Sequence, residues 1–265
     1  PGYTLFLSGK DFSCQINFLQ LNKLKQLLQK IILLGHRLLY LLTSYPLRIW
    51  RFFKHFIVLF QLLFNKHELL VHYRYSGIGV IVWSYEFVFY ILDILAIPEL
   101  FQTIIDFIHW KNRPLNHEEK NIIKSVFNDS INLNTISLDL YKHYFSDVAM
   151  AFVGFNTIFF NRKITGELLI HEASHCWQYQ RFGSVYIIRA LLAQNSNPGY
   201  NYGGVHSLEN IVMSRQIKRI NYEQQAEIIT DYYSLSNTKF ADPGEIKIYK
   251  NYLNLLKIPQ IIINK

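Results

Sequence analysis

The sequence predicts an α+β fold in which an apolar, mainly helical N-terminal region precedes a domain with a small sheet, and three observations predict it. Leu, Ile and Phe recur at three- and four-residue intervals from Phe18 to about Trp110. The period shortens to two at Ile136, Leu138 and Leu140, which alternate with Ser137, Asp139 and Tyr141. From Thr165 to Gly183 the chain again reads as helix, with a capping side chain at one end and a glycine stop at the other.

The first element carries most of the charge imbalance. Residues 1 to 67 hold nine Lys or Arg and one acid, Asp11, so the whole formal net charge of +8 sits in the first quarter of the chain. Half of the 265 residues are hydrophobic and 16% are aromatic, which excludes disorder and raises the question of a membrane. Apolar runs are nevertheless short: Ile31 to Leu34 meets Gly35, His36 and Arg37, and Phe56 to Phe64 ends at Lys66. None reaches the roughly 18 uncharged residues of a spanning helix. The chain starts at Pro1 and no segment reads as a signal peptide, which leaves cytoplasmic, secreted and peripheral-membrane addresses open. Cys14 and Cys176 have no disulfide or metal-type spacing.

Between Leu47 and Lys66, Arg48, Arg51, Lys54 and His55 share one side, and Ile49, Phe52, Phe53, Phe56 and Phe60 form the rest. Such a basic amphipathic helix has two readings. It packs on the protein with its cations solvated, or it presses Phe and Trp50 into lipid while residues 1–67 meet an anionic membrane surface. No nucleic-acid partner is expected, since no basic and aromatic reader motif is present. Gly35, Pro46, Gly77 and Pro98 are the expected breakers.

A boundary is expected at Lys111 to Pro114, dividing a helical region, 1–110, from a second unit, 111–265. Asn116 with Glu119 fits a capping box, followed by Ile122, Ile123, Val126 and Phe127 on one face. Ala149 to Phe160 reads as one or two strands broken at Gly154 and Asn156. Gly199 to Gly204 is a loop rich in tyrosine and glycine, and Asn221 opens a helix to about Ser236.

The chemistry concentrates in His171, Glu172, Ala173, Ser174 and His175, an HExxH sequence on the predicted helix. Residues four apart stack on one face, so both imidazoles can reach one ion. Glu172 lies about 100° around the helix, where it can take a proton from a water that zinc has acidified. A catalytic zinc site wants three protein ligands and an open position. Glu223, Glu227 and Asp231 are spaced four apart on the Asn221 helix, and Glu223 is favoured as the third ligand with Glu227 second. Another of these acids is expected to orient a ligand histidine. Cys176, Trp177 and Tyr179 read as packing, and Tyr202 and His206 are candidates for stabilising an oxyanion.

These residues resemble the zincin superfamily, and within it a group of bacterial zincin-like proteins related to secretion-system spike (Vgr) proteins. The likeness is carried by Arg113, Pro114 and Leu115 with Glu118 or Glu119, by Val126 and Phe127, by the run His171 to Gln180, and by Asn221 to Glu227. It implies a zincin core whose edge strand, with Thr157 to Asn161 as candidate, pairs with an extended peptide. It also implies a third ligand with another acid four residues on, which both Glu223 with Glu227 and Glu227 with Asp231 satisfy.

The expectation is a zinc-dependent metallopeptidase: His171, His175 and Glu223 hold Zn2+, Glu172 is the general base, and the substrate is a peptide or protein. The alternatives are an accessory of a secretion apparatus with a vestigial or structural metal site, and a membrane-surface anchor.

Overall fold

The computed structural model describes residues 9–64, 79–140, 151–160 and 164–258. The chain is α+β, mostly helical, with one small mixed sheet.

Among the described residues three helices come first: α1 (Gly9–Phe64), α2 (Gly79–Ile94) and α3 (Ile97–Ile108). Two expected breakers do not break, since Gly35 and Pro46 both lie inside the 56 residues of α1. Pro98 does act as expected and sits in the first turn of α3, where its missing N–H costs nothing. Lys66 and Gly77 fall outside the described residues.

The sheet has the order β1 (Arg113–Pro114), β2 (Ser137–Asp139), β4 (Thr157–Phe160), β3 (Ala151–Gly154). β2 and β4 run parallel, with Leu138 opposite Ile158, and the outer pairs are antiparallel. Asp139 as well as Leu138 is buried in β2, so the alternation of residue types does not mark one solvated face. The strand expected at the edge, Thr157 to Asn161, is instead interior: β4 is flanked on both sides and buried at all four positions. The edges among the described residues are β1 and β3.

Between β1 and β2 lies α4 (His117–Phe127), opened by the expected capping box of Asn116 and Glu119. Glu119 also takes two hydrogen bonds from Arg113, at 2.8 and 2.7 Å, which ties β1 to the start of the helix. Five further α-helices follow among the described residues: α5 (Gly166–Phe182), α6 (Tyr186–Gln194), α7 (Gly204–Ser214), α8 (Tyr222–Ser236) and α9 (Pro243–Leu255). The core joins Ile123 and Phe127 of α4, Ile158 of β4, Leu169, Ile170 and Trp177 of α5, Ile228 and Ile229 of α8, and Tyr252 of α9. Burial of this apolar surface supplies the driving force of the domain.

The N-terminal helices dock on this domain by polar contacts. Arg37 is buried, donates to Asp106, and reaches the Thr135 carbonyl at 3.1 Å and Ser137 Oγ at 2.9 Å. Arg48 pairs with Glu99, whose carboxylate accepts the Tyr179 hydroxyl at 2.9 Å. Arg189 of α6 holds Glu86 of α2 at 2.7 and 3.1 Å. Lys30 donates to the carbonyls of Asp106 and His109. The packing reading of these helices therefore needs a correction: Lys30, Arg37 and Arg48 are not solvated, because each has a buried acceptor that replaces water.

Among the described residues no single helix is long and apolar enough to cross a membrane.

Candidate metal centre

Helix α5 is built to present its motif. Thr165 caps it by accepting the Leu168 N–H, and Gly183 ends it at φ 87°. A side chain at Gly183 would meet the Asp93 carboxylate 2.2 Å from its Cβ, so glycine is needed there for space as well as for conformation. Asp93 accepts the Ser184 N–H just beyond.

The capping box of Asn221 and Gln224 starts α8 and brings its first turn against α5. His171, His175 and Glu223 thereby offer three ligand atoms that lie within 4.8 Å of one another. Glu223 Oε2 is 3.5 Å from the Nε2 atoms of both His171 and His175. That separation is long for a hydrogen bond, yet it is close to the edge of a tetrahedron built on bonds of about 2.0–2.2 Å. The same oxygen is buried without a hydrogen-bond partner, an expensive state unless a cation completes it. A carboxylate and two imidazoles are a donor set that suits a divalent transition ion, so the residues fit one.

Each ligand-type group is held from behind. His175 Nδ1 lies 2.9 Å from Gln178 Oε1, and the amide of Gln178 donates to the Tyr222 carbonyl at 2.8 Å. With that amide oriented by its donor side, its oxygen accepts from Nδ1–H, which turns Nε2 toward Glu223. Glu223 Oε1 accepts from Gln194 at 3.0 Å. Glu227 Oε2 stands 3.6 Å from His171 Nδ1, behind that ring, and is partly exposed.

Burial opposes the charge on both Glu223 and His171, and their mutual attraction outweighs it. Glu223 is held down at about 2 by the two rings, and Glu223 and Glu227 push His171 up to about 10. For Glu172 burial wins, pushing its carboxyl above the usual range although His175 and His171 pull the other way. A buried carboxylate next to two rings and raised in basicity is suited to accept a proton.

The chain is similar to the type VI secretion system spike protein VgrG2b of Pseudomonas aeruginosa, 30% identical over 161 residues. That match covers 55% of this chain and 15% of the spike protein, so it spans a small part of the relative's length. No family model matches. No solved structure matches either.

The other residues of the motif region have distinct tasks. Trp177 and Cys176 are in the core, and the Tyr179 hydroxyl serves Glu99. Gln180 bonds Asn132, Thr135 and Asn156, fastening α5 to the loops around β2 and β4. Asp231 is not one of the three clustered ligand residues: Tyr202 donates to it and also meets the Tyr249 hydroxyl at 2.7 Å, which engages the Tyr202 hydroxyl there. His206 lies exposed on α7. The loop instead supplies Tyr200, whose ring centre is 6.0 Å from that of His171. Burial, together with Glu223 and Glu172, pushes its phenol up to about 12, which keeps it a proton donor. Gln194 bonds Tyr200 and Glu223 alike, a tertiary contact with no local signal in the sequence.

Proposed function

We propose that this chain is a zinc-dependent metallopeptidase with a zincin-like catalytic domain, in which His171, His175 and Glu223 hold the ion and Glu172 is the general base. The observation that carries the reading is the buried Glu223 Oε2, without a hydrogen-bond partner and 3.5 Å from both Nε2 atoms. Zinc is the preferred ion because two imidazoles and one carboxylate with a vacant position suit it. When bound, it supplies the Lewis acidity that polarises a carbonyl and acidifies a water.

The chain's own residues do the rest. Glu172 takes the proton of the attacking water and returns it to the leaving amine as the peptide bond breaks. Gln178 fixes the tautomer of His175, Gln194 holds Glu223, and Glu227 orients His171. The Tyr200 hydroxyl, beside Glu223 and Glu172, is placed to donate to the substrate oxygen on which charge develops.

Metal analysis and cleavage of a peptide library test this on the full chain. Glu172→Gln should keep about one zinc per chain and lose at least a hundredfold in turnover; retained turnover removes Glu172 from its role. His171→Ala and Glu223→Ala should lose the ion. Glu227→Ala should keep it with affinity weakened about 10- to 100-fold, and the reverse order would exchange the two glutamates.

A second reading is favoured by the similarity to VgrG2b, a spike protein by name. In that reading the chain works with a secretion apparatus, as an effector carried by it or as an accessory. Zinc that stays bound while every peptide survives would favour the accessory over the enzyme.

A further inference from the structure

Helices α1, α2 and α3 are amphipathic in the inverted sense. Glu86, Asp93, Glu99 and Asp106 are all buried, and they meet Arg189, the Ser184 N–H, Arg48 and Arg37 on the inner side. The same helices leave large apolar side chains in the open, among them Leu42 at 72%, Phe53 at 61%, Phe60 at 65% and Ile108 at 65% exposure. Since each helix turns its polar side to the domain, the apolar sides look away from it. An exposed surface of this size is far beyond the scattered apolar residues of an ordinary protein exterior.

Charge decides what covers it. Every described acid between residues 20 and 111 is buried, whereas Lys23, Lys25, Lys54 and Lys111 are exposed. The outer surface of this layer therefore carries cations and no carboxylate among the described residues. A twofold contact with a second copy sets a patch against itself and would bring lysine to lysine with nothing to neutralise it. A bilayer with anionic headgroups answers both features, accepting the apolar side chains and pairing with the lysines. Trp50 and Trp110, exposed at 60% and 53%, are the residue type that favours the boundary between headgroup and hydrocarbon.

We propose that α1, α2 and α3 seat the protein on the surface of an anionic membrane, lying in the plane of one leaflet with the metal-bearing domain outside it. The helices lie flat rather than cross. No single helix among the described residues is long and apolar enough to cross, and α2 and α3 pass that test by length and composition only as a pair bent by 66°. On that pair Glu86, Asp93, Glu99 and Asp106 are buried and held by partners inside the protein, which keeps one side of both helices against it. This seat involves none of the metal-site residues and stands independently of the peptidase reading.

Flotation of the full chain with phosphatidylcholine vesicles, with and without phosphatidylglycerol, tests the seat. The folded protein should float with the anionic vesicles. Phe53→Glu with Phe60→Glu should weaken binding to both kinds at least tenfold. Replacing Lys23, Lys25 and Lys54 by Gln should weaken binding to anionic vesicles about a hundredfold, at about fivefold per lysine, and leave the neutral ones unchanged. Because these side chains point outward, melting and zinc content should stay as in the unmodified chain, which separates lost binding from lost folding. The proposal is overturned if the folded chain ignores anionic vesicles or if the glutamate variants bind as well as the parent. It is also overturned if sedimentation shows an oligomer that the same variants dissolve while no vesicle is bound.

Discussion

The two halves of this molecule solve burial in opposite ways. In the domain around the candidate metal centre, Ile123, Ile158, Ile170, Trp177 and Ile229 are inside. In the N-terminal layer it is Arg37, Arg48, Glu86, Asp93 and Asp106 that are inside, while Leu, Ile and Phe face out. The lesson is that amphipathicity specifies two faces and leaves open which of them turns inward. That choice follows from whether the polar groups find partners closer than water.

The comparison can be broken most severely at its ion pairs. Arg37→Met leaves Asp106 buried beside an apolar side chain and should cost about 3–5 kcal/mol in denaturant unfolding. The pair Arg37→Met with Asp106→Leu should recover most of that loss, and failure to recover would mean that Arg37 matters through Thr135 and Ser137 instead. In the other half, Ile170→Ala should cost about 2–5 kcal/mol by leaving a cavity in the core.

A smaller effect tests the layer by pH. Burial raises Asp93 to about 6, against which Ser184 and Arg48 pull downward. A carboxyl raised in the folded state gives a contribution that is complete below the unfolded pKa of 3.8 and is lost as the pH rises through about 6. Between pH 7 and 5 this group should therefore add about 1 kcal/mol of stability, and Asp93→Asn, which still accepts the Ser184 N–H, should remove that increment. An unchanged slope in thermal melts would reject the assignment. Smallest of all, Phe53→Ser should shift stability in water by less than about 0.5 kcal/mol although it deletes an aromatic ring. A large loss there would show that the outer face is packed.

Most of the domain was legible in the sequence because its signals are local. The Asn116 box, the Thr165 cap, the Gly183 stop and the Asn221 start each need only a few neighbouring residues, and all four stand where expected. The spacing of His171 and His175 is equally local, and their meeting with Glu223 followed from two helices whose acids had been narrowed to a few positions. What was not legible depends on tertiary neighbours: that β4 is interior, that Tyr202 turns to Asp231, and that Tyr200 faces the rings. The inverted layer did leave a trace. Lys30 and Arg37, Arg48 and His55, Glu86 and Asp93, and Glu99 and Asp106 are each seven residues apart, two helical turns, as partners on facing helices must be.

Helix α1 runs for 56 residues. Residues 20–28 are exposed, whereas Lys30 is buried. The exposed stretch 20–28 carries Lys23 and Lys25, open to trypsin. A cut there would leave the described ion pairs of Arg37, Arg48 and Arg189 intact, so limited proteolysis should yield a trimmed chain that still folds and still brings His171, His175 and Glu223 together.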